Sequence, residues 1–223
     1  MIEVLHRDDD LVAVAKPPGI FVHPSDLDRT APALLARVRD EVGRLVHPVH
    51  RLDRPTSGVV LFAFTPEGTA ALQRALKAPG AVKEYLALAR GILPLSGVLC
   101  RDLTSASGDR RLFSRTDFVR LAVLAGRSSL LALRPRTGRR HQIRRHLATA
   151  AHHLIGDTTY GKGRINEFYR ERYGLPRLAL HARRIEIDHP RTGERLRVDA
   201  PVPADLAEFL ARLPGFRPEL LRG

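Results

Sequence analysis

The sequence predicts an α+β fold built on a mixed, largely antiparallel β-sheet flanked by helices. Strand-like and helix-like segments intermix without the strict βαβ alternation of a parallel sheet. Three pairs of strand-like runs are joined by turns too short for a crossover, around Asp8, Asp9 and Asp10, around Gly126, and at 189–194. At 223 residues with 43% hydrophobic side chains, the chain can bury a sizeable core.

Residues 2–6 and 11–15 read as short strands across the acidic turn. Lys16-Pro17-Pro18-Gly19 closes the second, because prolines cannot extend a hydrogen-bonded ladder. Thr30 is the expected N-cap of a helix carrying Leu34, Leu35, Val38, Val42 and Leu45 at helical spacing. The stretch HRLDRPTSG at 50–58 leads into an apolar strand at 59–64. Thr65-Pro66 caps and opens a helix to about Lys77, which Ala78-Pro79-Gly80 stops. In VKEYLALAR at 82–90, Val82, Glu84, Leu86 and Leu88 face one way; Lys83, Tyr85, Ala87 and Ala89 face the other. Positions 91–115 read as loop-rich and weakly patterned. A strand pair follows at 116–124 and 129–134, then a helix at 141–151 with Ile143, Leu147 and Ala150 on one face. Residues 156–176 read as a polar stretch bearing glycine and tyrosine. Strands at 178–188 and 195–199 pair, and 203–213 closes as a short helix. PRTG occurs at 135–138 and 190–193, which is shared turn chemistry. No larger repeat and no linker divides the chain, so one domain over 1–223 is expected.

The net charge is +13 and the pI about 11.1. This excess of arginine favours a polyanionic partner, since each phosphate contact releases counterions. A membrane fits less well. No basic amphipathic helix carries Trp or Phe, and no run approaches the roughly 18 apolar residues of a span. The opening MIEVLHRDDD places acids where a signal peptide is apolar. A single cysteine, Cys100, leaves no internal disulfide and no cysteine-built zinc site. It suits a reducing cytoplasm, the expected location.

Four groups of residues could carry chemistry. In HRLDRPTSG, Asp53 lies between Arg51 and Arg54 just ahead of the strand. A surface ion pair is one reading. The other is a carboxylate presented by a scaffolded turn, better suited to nucleophilic or electrostatic work than to proton donation. Residues 134–146 hold six arginines and no acid. Arg139 and Arg140 sit at a helix start, where backbone N–H groups also favour anions. Arg144 and Arg145 point in different directions, so one can reach a buried partner while the other faces phosphate. His141 and His146 are five apart, off the spacing of helical metal ligands, and no metal is expected. Lys83 and Tyr85 share a strand face, as base stacking would require. Glu84 points away from them, which argues against a two-carboxylate glycosidase. Thr159-Tyr160-Gly161-Lys162-Gly163-Arg164 is basic and glycine-interleaved but lacks the P-loop pattern.

In their joint order, these segments resemble the RNA pseudouridine synthases that modify ribosomal RNA or tRNA. The resemblance rests on LVAVAKPPG at 11–19, HRLDRPTSG at 50–58, KEYLALARG at 83–91 and RTGRRHQIRRHL at 136–147. It continues through LIGDTTYG at 154–161 and RLALHARRIEIDHPRTGE at 177–194. It implies the fold of that family, a sheet flanked by helices with a central RNA-binding cleft, and a catalytic domain without the extra N-terminal RNA-binding module of many relatives. It makes Asp53 the catalytic aspartate, Tyr85 the side chain that stacks on the target uracil and Arg144 the aspartate's partner. Arg51 helps displace the base, and Leu178 or Leu180 lies beneath it. Arg54, Lys83, Arg139 and Arg140 remain candidate RNA contacts.

Within the family, the chain resembles the members that act at position 65 of tRNA, in the T-stem, although 92–130 departs from them. The expected protein is a monomeric, cofactor-free enzyme with an RNA partner. The alternatives are a synthase acting on ribosomal RNA, a non-catalytic RNA-binding module, and a base-releasing glycosidase. The first binds a different RNA, the second gains nothing from Asp53, and the third releases free uracil where an isomerase conserves all atoms.

Overall fold

A computed structural model describes residues 2–23, 33–105 and 107–221. In chain order the elements begin with β1 (Val4–Arg7), β2 (Leu11–Lys16), α1 (Leu34–Val42), β3 (His47–Pro48), β4 (Ser57–Ala63), α2 (Pro66–Ala75) and β5 (Val82–Arg90). Next come β6 (Ser96–Cys100), β7 (Leu103–Thr104), β8 (Arg111–Leu112), β9 (Arg115–Leu124), β10 (Ser128–Pro135) and α3 (Gln142–Thr149). The chain continues through α4 (Gly163–Tyr173), β11 (Leu180–Asp188), β12 (Arg195–Asp199) and α5 (Ala204–Ala211) to a 3-10 turn at Pro218–Leu221. They group into two compact units, residues 1–83 with 182–201 and residues 84–181 with 202–223.

In the first unit the strand order is β1-β2-β4-β11, with β12 beside β11 and β3 beside β4. The pairs β1–β2, β2–β4, β3–β4 and β11–β12 are antiparallel. Every residue of β4 is buried, as its unbroken apolar run requires. Its inner residues Val59 and Leu61 join Leu11, Ala13, Leu72, Ile185, Ile187 and Val198 in one core cluster. Burial of each such large side chain is worth about 1.5–3 kcal/mol. Gly58 opens this strand at φ +124°, and a Cβ there would lie 2.1 Å from the Ala182 carbonyl oxygen. Only glycine fits that approach of β4 to β11. The Thr65 cap is present: its Oγ1 accepts from the Gly68 N–H at 2.9 Å, with Pro66 in the first turn.

The second unit orders its strands β5-β10-β9-β6, with the separate hairpin β7–β8, and all of these pairs are antiparallel. The alternation read in β5 divides two cores. Leu86 and Leu88 pack with Leu130, Tyr169, Phe209 and Leu210. Ala87 and Ala89, with Tyr85 at the margin, pack with Leu131, Leu133, Ile143, Leu147, Leu178 and Leu180.

Several expectations change. Thr30 lies outside the described residues. Helix α1 ends at Gly43 in the left-handed conformation, so Leu45 is off the helix and 64% exposed. Positions 91–115 are not simply loop: they hold β6 and the two-residue strands β7 and β8, too short for alternation to register. The polar stretch 156–176 contains α4. Its apolar stripe, Ile165, Tyr169 and Tyr173, runs at four-residue spacing among charged neighbours, and Gly174 ends it.

Candidate active site

In the first unit, HRLDRPTSG is fixed at both ends. His50 Nε2 accepts from the Leu61 N–H at 3.1 Å, so it carries no proton. Burial, and then the charge of Lys83, push this imidazole down to about 4. The Thr56 N–H donates to the Asp53 carbonyl at 3.0 Å, closing a tight turn that leaves the Asp53 side chain half-buried. Arg54 is exposed and turns to the KPPG segment. Its Nε donates to the Gly19 carbonyl at 2.9 Å and its guanidinium sits 5.4 Å from the Phe21 ring centre. The Arg54 carbonyl accepts from the Gly19 N–H at 2.8 Å and from buried Lys16 Nζ at 3.2 Å. These bonds tie Lys16 and Gly19, at either end of the KPPG segment, to the turn that carries Asp53. Arg51 is exposed. Lys83 is half-buried, and burial followed by the charge of Lys77 lowers its pKa.

In the second unit, Tyr85 is half-buried opposite Leu133 of β10. Leu178 and Leu180, both fully buried, belong to the cluster on which Tyr85 packs. Glu84, on the other face and 3% exposed, accepts from Arg134 Nε at 2.8 Å. That ion pair gives the carboxylate a structural role.

Arg144 and Arg145 diverge as their helical positions require. Arg144 is 5% exposed and grips Asp157 with two parallel bonds, Nε to Oδ2 at 2.7 Å and Nη2 to Oδ1 at 2.9 Å. Its guanidinium also lies 5.1 Å from the Tyr160 ring centre. Asp157 is 1% exposed, and its Oδ1 accepts from the N–H groups of Thr159 and Tyr160, each at 2.9 Å. Burial alone raises this carboxyl, but the Arg144 fork and those N–H groups outweigh it and hold the pKa below the ordinary value. The Asp157 carbonyl accepts from Asn166 Nδ2 at 2.9 Å. A Cβ at Gly161 would stand 2.0 Å from that carbonyl oxygen, so glycine is required there. Arg145 instead donates Nη1 to the Thr104 carbonyl at 2.8 Å. Arg139 Nε donates to the Phe113 carbonyl at 3.1 Å, and Arg140 is exposed.

The RNA pseudouridylate synthase model matches residues 10–149, well over half of the chain. The chain belongs to this family. The match spans Asp53, Tyr85 and Arg144, while Asp157, Leu178 and Leu180 lie beyond it. The synthase is similar to tRNA pseudouridine synthase C of Haemophilus ducreyi, 37% identical over 220 residues, covering 89% of this chain and 90% of that protein. Its similarity to the Salmonella typhimurium protein of the same name is 39% over 223 residues, covering 90% and 85%. The solved structure of Human RNA Pseudouridylate Synthase Domain Containing 1 superposes with a TM-score of 0.76 at 27% identity, covering 97% of this chain and 89% of that one. Human RNA Pseudouridylate Synthase Domain Containing 4 shares the fold, with a TM-score of 0.79 at 24% identity, covering 97% and 94%.

Asp157, Asn166 and Gln142 went unmarked in the sequence of this synthase. LIGDTTYG contains Asp157, but nothing in its spacing ties it to an arginine thirteen positions earlier. Gln142 is buried and fully engaged. Its Oε1 accepts from Thr137 Oγ1 at 2.7 Å and the Arg139 N–H at 3.0 Å, and its Nε2 donates to the Arg115 carbonyl and Thr116 Oγ1. His146 is held by Thr116 and Ser114, and His141 Nδ1 lies 3.0 Å from the Tyr160 hydroxyl. Asp8, Asp10 and His189 also cluster: His6 and Arg191 engage the two carboxylates, His189 Nδ1 accepts from two backbone N–H groups, and the buried His189 Nε2 faces the carboxylates at 3.5 Å from Asp8 and 3.6 Å from Asp10. The donor set is that of an ion-paired turn.

Proposed function

We propose that the substrate of this synthase is tRNA, and that the target is uridine 65 of the T-stem. The family reaction is an isomerisation. The N1–C1′ bond of a uridine breaks, the uracil turns, and C5 bonds to C1′ while the C5 proton leaves and N1 gains one. The relatives named tRNA pseudouridine synthase C, aligned over most of both chains, are the observation that carries the tRNA assignment. Position 65 rests on the resemblance in HRLDRPTSGV and in the 156–178 segment.

In this reading Asp53 supplies the anionic group that acts on the flipped uridine, Tyr85 stacks on its base, and Leu178 and Leu180 line the apolar floor. Arg144 is the basic residue that the family resemblance pairs with the catalytic aspartate, and two of its nitrogens are fixed by Asp157 so that its side chain is held before RNA arrives. Arg51 helps move the base out of its stack, a step costing a few kcal/mol. Arg54, Lys83, Arg139 and Arg140 serve the RNA more weakly, since Arg54 and Arg139 already bond to backbone carbonyls. Incubating the purified protein with unmodified tRNA and mapping pseudouridine tests the assignment. A single new pseudouridine at position 65 is expected. Modification only of ribosomal RNA would replace the substrate, and release of free uracil would replace the reaction.

A further inference from the structure

Beside α3, in the second unit, lies a cavity of about 260 Å³ with Arg101, Arg111, Arg145, Thr149 and Tyr160 in its lining. Its wall is the hairpin β7–β8, part of the stretch read from sequence as loop, and two struts from α3 hold that wall. One is Arg145, whose Nη1 donates to the Thr104 carbonyl at 2.8 Å. The other is a relay of hydrogen bonds whose directions can be worked out. Ser114 Oγ has one hydrogen, and the Arg101 carbonyl, which only accepts, takes it. His146 Nε2, 2.7 Å from Ser114 Oγ, must therefore donate. Burial, and then the charge of Arg145, lower the His146 pKa and favour the neutral ring, so its Nδ1 accepts from Thr116 Oγ1 at 3.0 Å. Thr116 in turn accepts from Gln142 Nε2 at 3.0 Å. The Arg101 N–H adds a bond to the Ser114 carbonyl at 3.0 Å. The backbone that carries Arg101 is thus anchored to a buried helix face, while its side chain is exposed.

Three guanidiniums against one acid, Asp102, give the lining a net positive charge. Tyr160, at its edge, is the ring over Arg144 and the N–H donor to Asp157. We infer that this cavity is a phosphodiester subsite for the substrate RNA, bound by Arg101, Arg111 and Arg145 away from the reacting nucleotide. The inference rests on the RNA reading above, and it assigns to the 101–112 hairpin a part in choosing which RNA is bound.

Binding of tRNA, measured from 50 to 200 mM KCl, tests it. Loss of one phosphate contact makes the slope of log K against log salt shallower by about 0.9. For Arg101→Ala/Arg111→Ala, that means an affinity about tenfold weaker at 50 mM and about threefold weaker at 200 mM. The charge-retaining Arg101→Lys/Arg111→Lys keeps the wild-type slope. Should the double alanine variant fail to fold, Thr149→Glu adds a negative charge at an exposed lining position and is expected to weaken binding with the same salt signature. Unchanged affinity and slope in the folded variants overturns the inference, as does weaker binding with an unchanged slope. Thermal stabilisation by inorganic phosphate with no change in the RNA slope makes this a free-anion site and overturns it too. Pseudouridine formation by the wild-type protein is read separately, so failure of the subsite and failure of the tRNA assignment are distinguishable.

Discussion

Arg144 illustrates how one buried residue can be both costly and useful. A guanidinium at 5% exposure demands partners, and Asp157 meets two of its nitrogens in parallel while itself accepting two backbone N–H groups. Asp157→Asn removes the charge and leaves a buried cation without its fork, so stability is expected to drop by about 3 kcal/mol in urea unfolding. A loss below about 1 kcal/mol would mean the pair is loosely held. His50 makes a second residue-level claim. Its folded pKa, near 4, lies below the ordinary 6.5, so the unfolded chain takes up the proton first as pH falls. The His50 contribution is complete above about 6.5 and is lost between 6.5 and 4. Melting curves across that window should flatten in His50→Gln, which keeps an acceptor for the Leu61 N–H. Equal slopes for the two proteins would contradict the buried neutral imidazole.

At the level of elements, what the sequence revealed depended on how local the determining force was. The face assignment along β5 was readable because alternation is a property of neighbours, and Tyr85 and Glu84 do lie on opposite sides. The Thr65 cap and the stop after α2 were readable for the same reason. Helix α4 was hidden because Ile165, Phe168, Tyr169 and Tyr173 sit among five charged residues, leaving no run that stands out. The Arg144–Asp157 pair joins a helix to a loop, so no periodicity could announce it. In HRLDRPTSG the candidate acid was legible, but the role of Arg54 was not. Its attachment to Gly19 depends on a turn more than thirty residues away. Gly58 belongs to the same class, since its need for φ +124° comes from β11, far along the chain. Gly58→Ala places a Cβ 2.1 Å from the Ala182 carbonyl oxygen and must part β4 from β11. The variant is expected to be recovered mostly unfolded, by circular dichroism and solubility. A native melting temperature would show that the strands can separate at little cost.

Over the whole molecule, a +13 chain carries two kinds of arginine. Some, such as Arg51 and Arg140, are exposed, as phosphate contacts must be. Others are paired with acids of the fold, buried Arg144 with Asp157 and exposed Arg134 with buried Glu84. Net charge alone therefore overstates the RNA-facing surface and cannot tell an enzyme from a binding module. Substitution of Asp53 separates the two, because removing a negative charge should help a binding module hold RNA but should stop an enzyme that uses it for chemistry. The most direct measurement is tritium release from tRNA carrying uridine labelled at C5, with RNA affinity measured in parallel for wild type and Asp53→Asn. Wild type should release the label, and the variant should release none while binding tRNA at least as tightly. Continued release by Asp53→Asn would contradict the assignment of Asp53 as the catalytic aspartate.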